Sequence, residues 1–276
     1  MSLAKPKSRL SLLWRCWALL IALALLWELA SRLRLVDPLL LPPLTQVLAR
    51  GGALLASGRL LRDLAASAWR VLLGFTAAAV LAMPLGIALG LYPALERLGA
   101  PLLSALRPLS PPAWIPLAIL WFGIGDAPAV FIIFVGTFFS LVVGILAATR
   151  AVDPQLIKAA LTLGASRWQA VWRVVLPSLV PALLTQVRVG LGLAWMCVIA
   201  AEMVAVRRGL GFMMIEARNL FRTEDVLAGM MTVAIVGLLL DALLVRLETR
   251  LCRWRAGLQP SRLYAAAIST EKRIAA

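Results

Sequence analysis

Histidine is absent from the 276 residues of this sequence. Its absence excludes metal centres with imidazole ligands, Ser-His-Asp or Cys-His nucleophilic catalysis, and imidazole proton relays. Cysteine is scarce: Cys16, Cys197 and Cys252 lie far apart and are odd in number. That spacing indicates neither a disulfide framework nor a metal site. We therefore expect no catalytic residue, no metal ligand and no cofactor-binding residue in this chain.

Charged residues are also few. Only 15% of the residues are charged, 62% are hydrophobic and the mean hydropathy is +0.92, whereas an ordinary soluble domain is about 45–50% apolar and about 25% charged. Side chains this apolar do not fit into one soluble core. The composition predicts a polytopic membrane protein and excludes a soluble enzyme, a disordered tail and a secreted disulfide scaffold.

Acidic residues are the rarer charge: 13 Asp and Glu stand against 28 Lys and Arg, a net charge of +15. The basic residues flank long apolar runs, which favours a role in membrane orientation over nucleic-acid binding. We expect membrane lipid as a partner and no nucleic acid.

Lysine is nearly missing, and its positions exclude a P-loop. A P-loop needs a lysine directly after a glycine, because the backbone amides and the lysine hold the phosphates. None of the four lysines follows a glycine; they are Lys5, Lys7, Lys158 and Lys272. Energy for any transport would therefore come from a partner protein or from an ion gradient.

Six apolar runs are present, and about 20 such residues suffice for a spanning helix. The first run ends at Ala30 and is interpreted as an uncleaved span. The others cover residues 71–95, 108–125, 127–149, about 179–203 and about 226–245. These runs predict an all-α fold of about six transmembrane helices. An even number places both termini on one side, and the basic N-terminus and tail indicate the cytoplasm.

Two stretches depart from simple spans. Residues 31–67 carry five arginines and three prolines, which favours an amphipathic connector on the outer face, with a short helix capped by Thr45. The third run holds four prolines, so its helix must be broken or begin late. It either lines a pathway or forms a re-entrant corner. Trp114 and Pro116 within it are candidate pathway residues.

The stretch from 150 to 178 is polar enough to leave the membrane. Asp153 followed by Pro154 predicts a helix start, Gly164 predicts its left-handed end, and Ser166 predicts the cap of a second short helix. Leu176-Pro177 is expected to stop that helix at the membrane. Two short helices with a glycine elbow can dock into a groove of a partner; a plain connecting hairpin is the alternative.

The segment KAALTLGASRWQAVWRVVLP resembles the EAA loop of ATP-binding-cassette importer permeases. The residues at the positions of that pattern are Ala159, Ala160, Gly164, Ala165, Val174, Leu176 and Pro177. Lys158 stands where the pattern has glutamate; this departure bears on one salt bridge to the ATPase and not on the role of the loop. Further segments resemble the taurine, sulfonate, nitrate and bicarbonate permeases over roughly residues 25–250; they are LLLPPLTQVL, RPLSPPAWIPLAILWFGIGD, VRVGLGLAWMCVIAAEM, RRGLGFM and TEDVLAGM.

This resemblance implies a type I (MetI-like) permease in the bacterial inner membrane. It implies a homodimer, a cytoplasmic ATPase dimer that binds the ATP and magnesium, and an extracytoplasmic solute-binding protein. The implied substrate is a small anion of the sulfonate, taurine, nitrate or bicarbonate class; a thiamine precursor, riboflavin or an aromatic acid is the alternative. The implied division is 1–62 as N-terminal segment, first span and connector, 63–250 as permease core with the coupling loop, and 251–276 as a basic cytoplasmic tail.

Charges inside the apolar runs need a reason, because each costs about 2.5–3.5 kcal/mol at the bilayer centre. Arg188 either lines the pathway and attracts an anion or snorkels to the inner surface; we expect a structural or gating role. Trp195 on the same run is a further candidate pathway or gating residue. Asp241 is expected to face another helix or the inner interface.

An ion-coupled secondary transporter would show inverted repeats and paired carboxylates, and a membrane-embedded enzyme would need a catalytic cluster; the sequence favours neither.

Overall fold

The computed structural model describes residues 9–37, 39–106 and 109–252, and these are helical with no strand among them. The helices are α1 (Arg9–Arg32), α2 (Leu44–Ala56), α3 (Arg59–Leu91), α4 (Pro93–Leu106), α5 (Ile115–Phe122), α6 (Asp126–Arg150), α7 (Pro154–Thr162), α8 (Arg167–Ala170), α9 (Leu176–Ala205), α10 (Leu210–Asn219) and α11 (Thr223–Leu251). A 3-10 turn, Pro111–Trp114, precedes α5, and a π-helical turn, Val171–Val175, joins α8 to α9. The all-α prediction is confirmed.

Four helical stretches are long and apolar enough to cross a membrane: Arg59–Leu91, Asp126–Arg150, Arg167–Ala205 and Thr223–Leu251. They confirm the polytopic class. The first predicted span coincides with the 24-residue helix α1, although the side chains of residues 9–17 are not described. The basic N-terminus and the basic tail from residue 253 lie outside the described residues, so their predicted side of the membrane stays a prediction.

The chain divides into two compact units, residues 1–69 with 199–235 and residues 70–198 with 236–276. The expected boundary between residues 62 and 63 falls inside α3, and the expected boundary at 250 falls at the last turn of α11. The functional division proposed from sequence stays a prediction.

In the second unit, α3 and α6 run parallel in close contact. A Cβ built on Gly74 would lie 2.8 Å from Ile133, and one on Gly86 would lie 2.8 Å from Ile145. Residue numbers rise together along both helices, so both point the same way. The glycines let the two backbones approach closely, as small residues do between membrane helices.

The segment between these parallel helices has to bring the chain back along their length. It consists of α4, the 3-10 turn and α5 rather than of one long helix. Three of the four prolines of the third apolar run, Pro111, Pro112 and Pro116, lie in the turn and the first residues of α5, and Pro108 lies outside the described residues. The eight residues of α5 extend only about 12 Å. The prediction of a span at 108–125 is therefore corrected. Proline restricts the helical part of that run, and the return crossing is a broken helix that begins at Pro93.

Helix α9 runs antiparallel to α6. Gly136 faces Cys197, and Gly144 faces Gln186, so numbers rise on one helix as they fall on the other. The buried cluster between α3 and α6 includes Leu141, and a Cβ on Gly190 of α9 would lie 2.7 Å from that leucine. Three helices thus share one core.

Helix α11 runs antiparallel to α9. The Thr185 hydroxyl donates to Glu248 Oε1 at 2.9 Å, and Gly237 faces the Trp195 ring. The first turn of α9 and the last turns of α3, α6 and α11 therefore lie at one end of this unit. The segment from 151 to 175 begins and ends there.

In the first unit, the predicted amphipathic helix is α2, which buries Val47 and Leu54. The predicted cap is wrong: Pro43 occupies the cap position, and Thr45 donates its N–H and its hydroxyl to the Glu28 carboxylate at 3.1 and 2.9 Å. A carboxylate on the neighbouring helix α1 takes the place of a local cap. The connector also ends earlier than residue 67, because α3 already begins at Arg59.

The buried carboxylate of Glu202 organises the start of α10. It accepts from the Ser67 hydroxyl at 2.9 Å and from the Gly211 N–H at 3.0 Å, while Leu210 N–H donates to the same hydroxyl. A negative charge is favourable at a helix N-terminus. This arrangement explains why an acid is tolerated at a site with no solvent exposure.

We expect Gly86→Ala to lower the stability of the protein by about 1–3 kcal/mol, because the added methyl overpacks the α3–α6 contact. Its Cβ would lie 2.8 Å from Ile145 and 3.0 Å from the Val142 carbonyl oxygen. The melting temperature in detergent measures the effect. Gly52→Ala is the matched control, since nothing lies within 4 Å of its Cβ in α2 and alanine is the better helix former. Equal melting temperatures for the two variants would contradict the close contact.

Candidate coupling and translocation sites

The segment 151–175 forms the predicted pair of short helices. Asp153 accepts a hydrogen bond from the Gln155 N–H at 2.8 Å and so caps α7, with Pro154 in its first turn. Lys158, Ala159 and Ala160 lie in the middle of α7, of which no residue is fully buried. The predicted start of this helix is confirmed, and the residues that fix it all lie within the first turn.

Gly164 ends α7 in the left-handed conformation, with φ at +86°. The Ala165 N–H donates back to the Ala160 carbonyl at 3.0 Å, and the Gly164 N–H donates to the Leu161 carbonyl at 3.0 Å. These bonds satisfy the last carbonyls of α7. No atom lies within 4 Å of a Cβ built on Gly164, so the backbone angle, not space, requires glycine.

Ser166 and Gln169 form a reciprocal cap at the start of α8. The Gln169 N–H donates to the serine hydroxyl at 3.2 Å, and the Ser166 N–H donates to the glutamine side chain at 2.9 Å. Two otherwise unpaired amides are satisfied at once. The predicted cap is confirmed.

The predicted stop at Leu176-Pro177 is wrong. Helix continues from Arg167 to Ala205, through a π-helical turn that contains Val174 and into α9, whose first two residues are Leu176 and Pro177. Pro177 cannot donate to the preceding turn. Local π geometry re-satisfies such freed backbone groups in membrane helices, so the chain passes the proline without ending the helix.

The coupling segment, defined here as residues 151–175, exposes large apolar side chains. Leu163 is 89% exposed and Trp168 is 67% exposed, and the Trp168 and Trp172 rings meet edge to face with centroids 5.6 Å apart. Exposed apolar patches of this kind mark interaction surfaces. Behind the segment, a cavity of about 590 Å³ separates it from the α3–α4 junction at Tyr92.

An ion pair between Arg188 of α9 and Asp241 of α11 marks a second site. Arg188 Nε lies 2.6 Å from Oδ1 of Asp241, and Nη2 lies 3.0 Å from Oδ2. The pair borders a cavity of about 150 Å³ that is lined further by Leu191, Gly192, Trp195, Gly237, Leu240 and Leu244. The expectation that Asp241 faces another helix is confirmed.

The structure thus brings two of the four predicted pathway residues, Arg188 and Trp195, to one cavity. Trp114 and Pro116 do not line it; the Trp114 ring packs edge to face against Phe131, with centroids 6.2 Å apart. Sequence reasoning missed the partnership of Arg188 with Asp241. The available signal was a basic residue in the fifth apolar run and an acidic residue in the sixth.

No group of three or more potential metal ligands occurs among the described residues. Among the same residues, the coupling segment exposes apolar side chains, and the Arg188–Asp241 pair borders a cavity. Residues 52–253 match the family described as binding-protein-dependent transport system inner membrane component. The chain belongs to this family. It is a transport permease.

Named relatives agree with this assignment. The chain is 38% identical to the taurine transport system permease protein TauC of Escherichia coli (strain K12), over 87% of this chain and 89% of that protein. It is 33% identical to the putative aliphatic sulfonates transport permease protein SsuC of Bacillus subtilis (strain 168), over 83% of each chain. It is also 33% identical to the nitrate import permease protein NrtB of Synechocystis, over 67% of each.

The fold of the permease resembles a solved structure. A chain of the MetNI methionine ABC transporter, in an inward-facing conformation, superimposes with a TM-score of 0.56 at 18% identity, covering 66% of this chain and 93% of that one. The similarity confirms the MetI-like fold expected from the sequence.

We expect Gly164→Val to reduce transport while membrane insertion persists. A β-branched residue in the left-handed conformation costs about 1–2 kcal/mol, so the angle between α7 and α8 must change. Uptake per inserted permease in vesicles measures the effect. Gly58→Val is the matched control, because it adds the same side chain at another left-handed glycine, with φ at +71° and no atom within 4 Å of its Cβ, outside the coupling segment. Unchanged uptake for Gly164→Val would contradict a role of the elbow in transport.

Proposed function

We propose that this permease is the membrane subunit of an ATP-driven importer of a small anion. The observation that carries the proposal is the coupling segment, which joins two capped short helices through Gly164 at one end of the membrane helices. Its exposed Leu163 and Trp168 offer an apolar docking face. Closure of an ATPase against that face would move α9 directly, because helix runs without a break from Arg167 to Ala205.

The proposed partners follow from that geometry and from the family. A cytoplasmic ATPase dimer binds the two coupling segments of a permease homodimer and holds the ATP and magnesium, so this chain itself carries no cofactor. A solute-binding protein delivers the substrate on the opposite side, and lipid surrounds the apolar helices. The family description, which names binding-protein-dependent transport, supports this assembly.

We infer that the coupling segment faces the cytoplasm of a bacterial inner membrane. The last turn of α11 lies at the same end of its unit as the coupling segment, because α11 runs antiparallel to α9. Both termini would then be cytoplasmic if α1 crosses the membrane from the same side. Basic residues of the coupling segment, among them Arg167 and Arg173, agree with the excess of positive charge on cytoplasmic loops.

For the substrate, the names of the relatives support taurine, an aliphatic sulfonate or nitrate, and bicarbonate shares the same chemistry of a small oxyanion. A net charge of +15 attracts anions electrostatically. A thiamine precursor, riboflavin or an aromatic acid is the alternative substrate within the same architecture.

We expect the permease, tagged and purified gently from its native membrane, to carry a P-loop ATPase in a stoichiometric amount. The reason is that the exposed apolar face of the coupling segment needs a protein partner. Mass spectrometry identifies the co-purified protein, and the dependence of uptake on ATP is measured in vesicles. Purification of the chain alone, with uptake driven by an ion gradient, would overturn the proposal.

Lys158 sets a further expectation for the ATPase surface. Its ammonium group is exposed on α7, at the position where the resembling pattern carries a glutamate. The partner surface facing it should therefore be acidic. We expect Lys158→Glu to weaken binding to the native ATPase more than Lys158→Gln does, with about threefold loss for the neutral variant, typical of an exposed ion pair. Binding affinity in detergent at low and high salt measures this; tighter binding of Lys158→Glu would contradict it.

A further inference from the structure

The Arg188–Asp241 pair lies at a depth where charge is costly. Arg188 is about 18 Å along α9 from Leu176, at about 1.5 Å per residue, within the apolar run of about 179–203. Even so, its side chain is 37% exposed, and that of Asp241 is 52% exposed. Charged side chains inside a membrane face water or protein rather than lipid, so this face of the two helices is expected to border water or another protein surface.

The cavity beside the pair has the form of a small binding site. At about 150 Å³ it exceeds the roughly 30 Å³ that one water occupies in the liquid. Leu191, Trp195, Leu240 and Leu244 supply apolar walls. The guanidinium of Arg188 supplies a planar donor that binds carboxylates and other oxyanions through two parallel hydrogen bonds.

Two glycines keep this cavity open. A Cβ built on Gly192 would meet no atom within 4 Å, and one built on Gly237 would lie 3.5 Å from the Trp195 ring. Any larger side chain at Gly192 would project into unfilled space rather than into a packed neighbour. The two glycines therefore leave their side of the cavity without side chains.

We propose that Arg188, with the adjoining cavity, is an anion subsite of the permease and that Asp241 is its internal competing anion. The inference rests on the proposed function and names the residues that would contact the substrate. An arriving sulfonate or other oxyanion takes the place of the Asp241 carboxylate on the guanidinium, and its carbon part contacts the Trp195 wall. Return of Asp241 then releases the anion.

The exchange explains why a transporter would carry both charges. A lone arginine at this depth would hold an anion tightly, whereas passage requires binding that is weak enough to leave. A carboxylate that competes for the same donors lowers the free energy of binding without removing the donors. In the empty state the two charges neutralise each other, which reduces the cost of keeping them in the membrane.

The test uses the complete transporter, with its ATPase and binding protein, reconstituted in liposomes. Radiolabelled taurine is the first probe and nitrate the second. The double variant combines Arg188→Met with Asp241→Leu, so that apolar side chains replace both charges. We expect the double variant to co-elute with the ATPase as the unmodified permease does, and to take up taurine at least about tenfold more slowly, the loss expected for charged hydrogen bonds. The control is Arg246→Met, which removes an exposed arginine from α11, the helix that carries Asp241. It should leave uptake unchanged.

Two further variants test the exchange itself. Asp241→Asn removes the competing carboxylate, so equilibrium binding of taurine to the purified permease should tighten about tenfold. Gly192→Leu fills the cavity without a backbone clash and should reduce uptake of taurine more than uptake of the smaller nitrate. The binding measurement on Asp241→Asn applies even where that variant assembles poorly with the ATPase.

The outcomes separate the two proposals. ATP-driven uptake by the unmodified transporter, lost in the double variant, supports both the importer function and the subsite. Uptake within twofold of normal in the assembled double variant would overturn the subsite, leave the importer function standing, and indicate a structural ion pair, because apolar replacement of such pairs is often neutral. Absence of uptake of either anion by the unmodified transporter, with its binding protein present, would overturn the proposed substrate class and the subsite together.

Discussion

The close parallel contact of α3 with α6 is the constraint on which the second unit depends. Glycines at positions 74 and 86 remove the side chains that would keep the two backbones apart. Because parallel neighbours must be joined by a connection as long as themselves, the contact forces the segment 92–125 to cross back. The prolines of that segment prevent a continuous helix, and the crossing is made of α4, a 3-10 turn and α5. The same contact brings the ends of α3 and α6 together, where the coupling segment begins.

Charges inside the described helices are handled by pairing rather than by exclusion. The side chain of Arg70 is 5% exposed and binds Asp126 at the start of α6 at 2.6 Å, and Arg188 binds Asp241. Arg50 of the connector helix α2 binds Asp225 in the first turn of α11, and this hydrogen bond raises the pKa of the Arg50 guanidinium above its ordinary value. With 13 acids for 28 basic residues, such pairs use much of the available negative charge, and the surplus positive charge is left to attract anions and to orient the chain.

One continuous helix connects the coupling segment with the cavity beside Arg188. The coupling segment continues into α9 through a π-helical turn, and α9 carries Arg188 and Trp195. A force applied at α8 is therefore transmitted along one helix to the cavity without crossing a loop. π-helical turns are frequent at functional positions, and here the turn lets the chain pass Pro177 while keeping that continuity. The glycine elbow lies on the other side of α8 and separates α7 from the continuous helix that runs from α8 into α9.

The sequence by itself determined the local features and the class. Composition set the polytopic membrane fold, and the capping residues Asp153 and Ser166 and the left-handed Gly164 set the coupling helices, because such bonds lie within a few residues. Tertiary structure alone decided the rest. It replaced the expected Thr45 cap by the Glu28 carboxylate, carried helix past Pro177, and joined Arg188 to Asp241 across 53 residues of sequence. Those outcomes depend on which helices become neighbours, and packing between distant segments, rather than local propensity, selects them.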